Sequence, residues 1–178
     1  MAHSPSLRTR VPSARRWHVI HEIDLVRMVR GHRRRAALCD RLEDAADALP
    51  VLPSADSHAC LARDVRDSIS RCEPEELAHL EAQLGCGQDP LAGAVLDRIR
   101  RTHLAHSAMA EEAIAGLDPA ANERLCPEAL GYLLRGVFSG WRRAIDYEQL
   151  AILALAGERM TAEAREQLAG AIARRAAA

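Results

Sequence analysis

Apolar residues recur three, four and seven positions apart over long stretches of this chain, the spacing that gathers side chains on one side of an α-helix. From Trp17 to about Leu49 the stripe holds Leu25, Met28, Val29, Ala36, Cys39 and Leu42, which predicts a first long helix ended by Pro50 and Pro53. Ser54 or Ser57 can cap a second helix whose inward positions are Leu61, Val65, Ile69, Leu77, Leu80 and Leu84. Pro74 lies inside that second segment. Its missing N–H and its ring should make the segment kink, or restart with Pro74 near the first helical position.

Gly85 and Gly87 close the second helix, and Asp89 with Pro90 opens a third that runs to about Gly116 along Leu91, Val95, Ile99, His103, Ala110 and Ile114. Asp118 to Asn122 is turn-like. Pro127 begins a fourth helix with Val137, Trp141, Ala144, Glu148 and Ile152 on one face until Gly157, and Thr161 caps a short fifth helix to about Arg175. Long amphipathic helices joined by short loops predict an all-α fold: an antiparallel, up-down four-helix bundle with the fifth helix packed outside it. The domain is expected over residues 17–178. Residues 1–16, with four arginines and no acid, are expected to be disordered.

Composition agrees with this reading. Of 178 residues 48% are hydrophobic, enough for one continuous core, and only 3% are aromatic. Ala and Leu dominate, which favours helix over strand. All 24 basic residues are Arg, a bias that points to a G+C-rich bacterial genome rather than to a physical need. The net charge of −1, with signs interspersed, argues against a nucleic-acid surface. No apolar run approaches the roughly 20 residues of a membrane span, and no secretory signal is visible. Five cysteines, an odd number without a C-x-x-C pair, suit a reducing cytoplasm.

A helical core is apolar unless its polar groups have partners, so ionisable residues in step with the apolar stripes carry the chemical information. There is one such residue per long helix: His32, Glu76, His103 and Glu148. Antiparallel packing can bring them to one level, where two imidazoles and two carboxylates are a reasonable donor set for iron, manganese or zinc. The plainer reading is that each is half-buried or solvated, or that His and Glu simply bond to each other. Glu75 and Glu76 also suit a helix first turn after Pro74 without any metal.

Three stretches, with a terminal helix after them, give the chain a resemblance to the bacterial hemerythrin-like, or HHE cation-binding, family over roughly residues 20–175. His32 followed by the run Ala37 to Glu43 is similar to that family's first-helix motif; Leu96 to His103 followed by Met109 to Glu112 resembles the third; Trp141 to Glu148 and Leu153 to Ala156 resemble the fourth helix and its exit, and Thr161 to Arg175 the terminal helix. The resemblance implies a non-heme di-iron site. Position by position, His32, Glu76, His103 and Glu148 match its ligands, whereas Cys72, Ser107 and Ala144 stand where others are expected. The retained two imidazoles and two carboxylates, to which Cys72 can add a thiolate, can collapse onto one ion, and the two-iron site and reversible oxygen binding are put in doubt. His79 and His106 lie three residues beyond Glu76 and His103, about 60° off axis, and are weaker substitutes. His21 is about 16 Å along the helix from His32, too far for the same ion.

These residues support two expectations of function. One is a reduced metal site, holding one or two non-heme iron ions, that senses or stores iron, oxygen or an oxidant. The other is a bundle with no cofactor, serving as an interaction or regulatory module through a protein partner or a second copy of itself. A heme-binding bundle using Met28, His32, His103 or His106 ranks behind both, since there is no C-x-x-C-H. Hydrolytic or nucleophilic enzyme chemistry is not expected, because G-x-S-x-G, a phosphate-binding glycine loop and H-E-x-x-H are all absent. A thiolate-stabilising setting for Cys72, beside Arg71 and a helix start, would add redox sensing.

Overall fold

A computed structural model describes residues 22–51, 54–84, 89–117, 125–157 and 160–176, and among these the chain is all-helical. The elements are α1 (Glu22–Asp47), α2 (Ala55–Asp67), a π-helical turn (Ser68–Cys72), α3 (Glu73–Leu84), α4 (Pro90–Leu117), α5 (Pro127–Ala156) and α6 (Ala162–Ala176). The leader, the first residues of the expected first helix, His21, and the Gly85–Gly87 and Asp118–Asn122 turns lie outside the described residues.

Local chemistry sets the helix ends. Ser54 Oγ accepts from Ser57 N–H at 3.4 Å and starts α2. Asp89 Oδ1 accepts from Leu91 N–H at 3.0 Å beside Pro90, the first residue of α4. Pro127 sits in the first turn of α5, and Thr161 Oγ1 accepts from Ala164 N–H at 3.2 Å to start α6. Each cap satisfies one of the N–H groups that a helix start leaves without an internal partner.

The expected second helix is α2 and α3 joined through the π-helical turn. The Glu73 N–H reaches back five residues to Ser68 O, in the wider ring of a π-turn. Pro74 follows immediately, where a regular α-helix would set its ring against the carbonyl four residues before it. Widening the turn gives the ring room. It also inserts one residue into the helical count, so α3 faces the core in a different register from α2.

Helix α5 is the axis of the fold, packing along α1 and α4; α2 packs on α4 and α1, α3 on α4 and α5, and α6 folds back on α5. The apolar interior is divided in two. One cluster joins Leu42 of α1, Val65 of α2, Ile114 of α4 and Leu134 and Trp141 of α5. The other joins Met28 of α1, Leu80 of α3, Ile99 of α4, Ile152 of α5 and Leu168 of α6. Burying a side chain of this size contributes about 1.5–3 kcal/mol. Between the two clusters, at the middle of α1 and α4, about two turns before the end of α5 and at the start of α3, lies a layer of buried polar and charged side chains.

Candidate functional site

The layer is centred on Glu148, which is only 1% exposed. His32 from α1 approaches one of its oxygens, with Nε2 at 2.9 Å from Oε2. His103 from α4 takes the other, with Nε2 at 2.7 Å from Oε1. The Gln149 side-chain amide donates to His32 Nδ1 at 3.1 Å, which leaves the His32 proton on Nε2, facing the carboxylate. Arg35, one turn after His32 on α1, is 3% exposed and joins the same group. Its Nη1 donates to Glu148 Oε1 at 3.4 Å, and its Nη2 is ion-paired with Glu76 Oε2.

Burial alone would raise the pKa of the Glu148 carboxyl. The Arg35 charge and the hydrogen bonds from His103 and His32 outweigh burial and hold it well below the usual carboxylate range. Glu148 is therefore an anion at neutral pH, surrounded by donors from α1 and α4.

Glu73 enters the layer from the first residue of α3 and is 1% exposed. Burial pushes its pKa up, against the lowering effect of Arg35 and His103. Neither of its oxygens completes a hydrogen bond among the described residues, and the Trp141 indole N–H, which favours the ionised form, is itself unpaired. On α4, His106 lies so close to α5 that a Cβ at Gly140 would stand 2.7 Å from its Nε2. Burial lowers the His106 pKa, with His103 and Arg35 adding to the effect.

Four of the five residues singled out in the sequence come together. Ligand atoms of His32, Glu76 and Glu148 lie within 4.8 Å of one another, and His103 shares the Glu148 carboxylate. Glu76 does not point to solvent; its side chain is 13% exposed and turned to Arg35. Cys72 stands apart from that group: it is half-buried, and its thiol donates to Asp67 Oδ2 at 3.6 Å. The extra residue of the π-turn places Glu73 inside where regular helix spacing would place Cys72. The expected lowering of the Cys72 thiol pKa is also reversed. Burial, then the Asp67 charge, pushes it up, and Arg71 is occupied with Asp67 at 2.7 Å.

Ser107 is half-buried and Ala144 buried. Alanine has no donor atom to offer. His79 lines a small surface pocket with Cys72, Glu75 and Glu76. A larger cavity of about 240 Å³ opens beside the layer between α1 and the α2 arm, with Gly31, Arg35, Asp67, Cys72 and Glu76 in its wall. Arg35, Glu73 and Gln149 belong to the site and are not among the residues singled out in the sequence. Arg35 carried a signal, since it lies three residues after His32 and four before Cys39 on the inward stripe.

Chemically, the layer can hold protons between two imidazoles and a shared carboxylate, and it offers two carboxylates and two imidazoles to a cation. No helix among the described residues is long and apolar enough to cross a membrane. No known protein family, curated protein or solved structure matches the chain.

Proposed function

We propose that the chain is a hemerythrin-like, antiparallel four-helix bundle with a short fifth helix, whose two-metal centre has been lost, and that it serves as a metal-free interaction or regulatory module. The order of the helices, with an imidazole or carboxylate from each arm at one level, supports the kinship. The donor set does not fit two irons. Ala144 and Ser107 supply no second imidazole, Cys72 is turned to Asp67, and the carboxylates that would bridge metals are engaged by Arg35.

The observation that carries the metal-free reading is the Glu148 carboxylate. Each of its oxygens already has a protein partner, from His32 on one side and from His103 and Arg35 on the other. A buried ion so surrounded needs no metal to be stable. The cavity of about 240 Å³ that reaches Arg35 and Glu76 gives a regulatory ligand a route to this layer.

Protein reconstituted anaerobically with iron, manganese or zinc should retain less than about a tenth of an ion per chain, and its melting temperature should not move, because only an ion that binds the folded state stabilises it. A stoichiometric ion with a large rise in melting temperature would establish the second reading, a one-ion site. That reading is favoured by the convergence of His32, Glu76 and Glu148 within 4.8 Å.

A further inference from the structure

We infer that Arg35 is an internal counter-ion that keeps a divalent cation out, so that its removal uncovers a one-ion site formed by His32, Glu76, His103 and Glu148. The inference rests on the metal-free reading above and gives it a cause in one residue. The geometry is that of a cation between two anions: the guanidinium spans Glu148 and Glu76, whose oxygens with His32 Nε2 form the compact donor group.

Charge decides the competition. With Arg35 in place the two carboxylates face one positive charge, and a divalent ion would set two more beside it in a layer nearly closed to water, where like charges repel strongly. Without Arg35, a dication offsets the charges of the two carboxylates that Arg35 pairs with, Glu76 and Glu148. The imidazoles then supply neutral nitrogen donors suited to zinc, cobalt or iron. Access exists, since the cavity beside Gly31 and Glu76 meets the layer at Arg35 itself.

Three variants separate charge from bulk. Arg35→Ala and Arg35→Met remove the charge, the second keeping most of the side-chain length, while Arg35→Lys keeps it. Metal-free protein is titrated with Co²⁺ and followed by visible absorption, which reports low-symmetry nitrogen and oxygen coordination, and by metal analysis. Arg35→Ala and Arg35→Met are expected to take up one Co²⁺ per chain about 10- to 100-fold more tightly than the wild type, a change of the size that residues around a ligand sphere produce. Arg35→Lys should behave as the wild type does. Adding His103→Ala to Arg35→Met should abolish the absorption.

If Arg35→Ala is unfolded without metal, refolding by Zn²⁺ but not Mg²⁺, read by circular dichroism, supports the inference. Wild-type protein that binds Co²⁺ as tightly as Arg35→Met overturns both this inference and the metal-free reading. A metal-free wild type with Arg35→Ala and Arg35→Met that bind nothing, folded or unfolded, overturns this inference alone.

Discussion

Gly31 and Glu76 meet across the gap between α1 and α3, and a methyl group at Gly31 would overlap Glu76 Oε1. The absence of a side chain at Gly31 is thus what lets the Glu76 carboxylate reach Arg35. Gly31→Ala gains about 1 kcal/mol of helix propensity, yet displacing a carboxylate tied to a buried guanidinium costs about 1–3 kcal/mol. A net loss of up to about 2 kcal/mol is expected in urea unfolding. Gly93→Ala is the control, because nothing lies within 4 Å of its Cβ position on α4. It should stabilise by about 0.5–1 kcal/mol.

Glu148 anchors the layer, and Glu148→Gln leaves Arg35 and two imidazoles without their common anion. The expected loss is about 3–5 kcal/mol at neutral pH, measured by chemical denaturation. The sign of the pH dependence follows from the low folded pKa of Glu148. Its contribution is present above the unfolded carboxyl value near 4.3 and is lost as pH falls through the lower folded value. Wild-type stability should therefore fall more steeply in acid than that of Glu148→Gln.

For Glu73 the sign is opposite. Burial raises its folded pKa, so its native environment is favourable below the unfolded value, and that advantage is lost as pH rises through the folded value. Glu73→Gln should be more stable than the wild type above that window, by on the order of 1 kcal/mol, because a buried, unpaired charge has been removed. Below about pH 4 the difference should vanish. Denaturation midpoints from pH 3.5 to 8 would test this, and equal midpoints at pH 8 would contradict it.

The cysteines should label in a fixed order. Cys60 and Cys126 are exposed, Cys72 is half-buried with its thiol held protonated, and Cys39 is fully buried, where burial pushes its pKa up to about 12. In a Cys86→Ser background, iodoacetamide at neutral pH should modify Cys60 and Cys126 first, Cys72 more slowly, and Cys39 only when the chain unfolds. Rapid modification of Cys72 would restore the redox reading.

The helices were legible because their signals are local. Asp89 with Pro90, Pro127 and Thr161 mark helix starts through chemistry that acts within one turn, and the 3.6-residue stripe brings His32, His103 and Glu148 inward. The rest of the layer was hidden for physical reasons. Arg35 falls on the inward stripe of α1, but it ends a run of three arginines that reads as a solvated face, and only its carboxylate partners on α3 and α5 justify burying it. Glu73 and Cys72 exchange their expected places because a π-turn adds one residue to the count. Periodicity cannot register that insertion, although Pro74 was its visible cause.

Two smooth apolar helices can slide past each other by a turn, about 5.4 Å, at modest cost, because Leu, Ile and Ala offer similar contacts at every step. The charged layer forbids this. Sliding α1 one turn along α5 would set Arg35 against Ala144 or Ile152 and take both Arg35 and His32 away from Glu148, leaving that carboxylate with His103 alone and two buried charges without their pairing. The layer thus acts as an alignment pin, trading some stability for a single longitudinal setting of the helices.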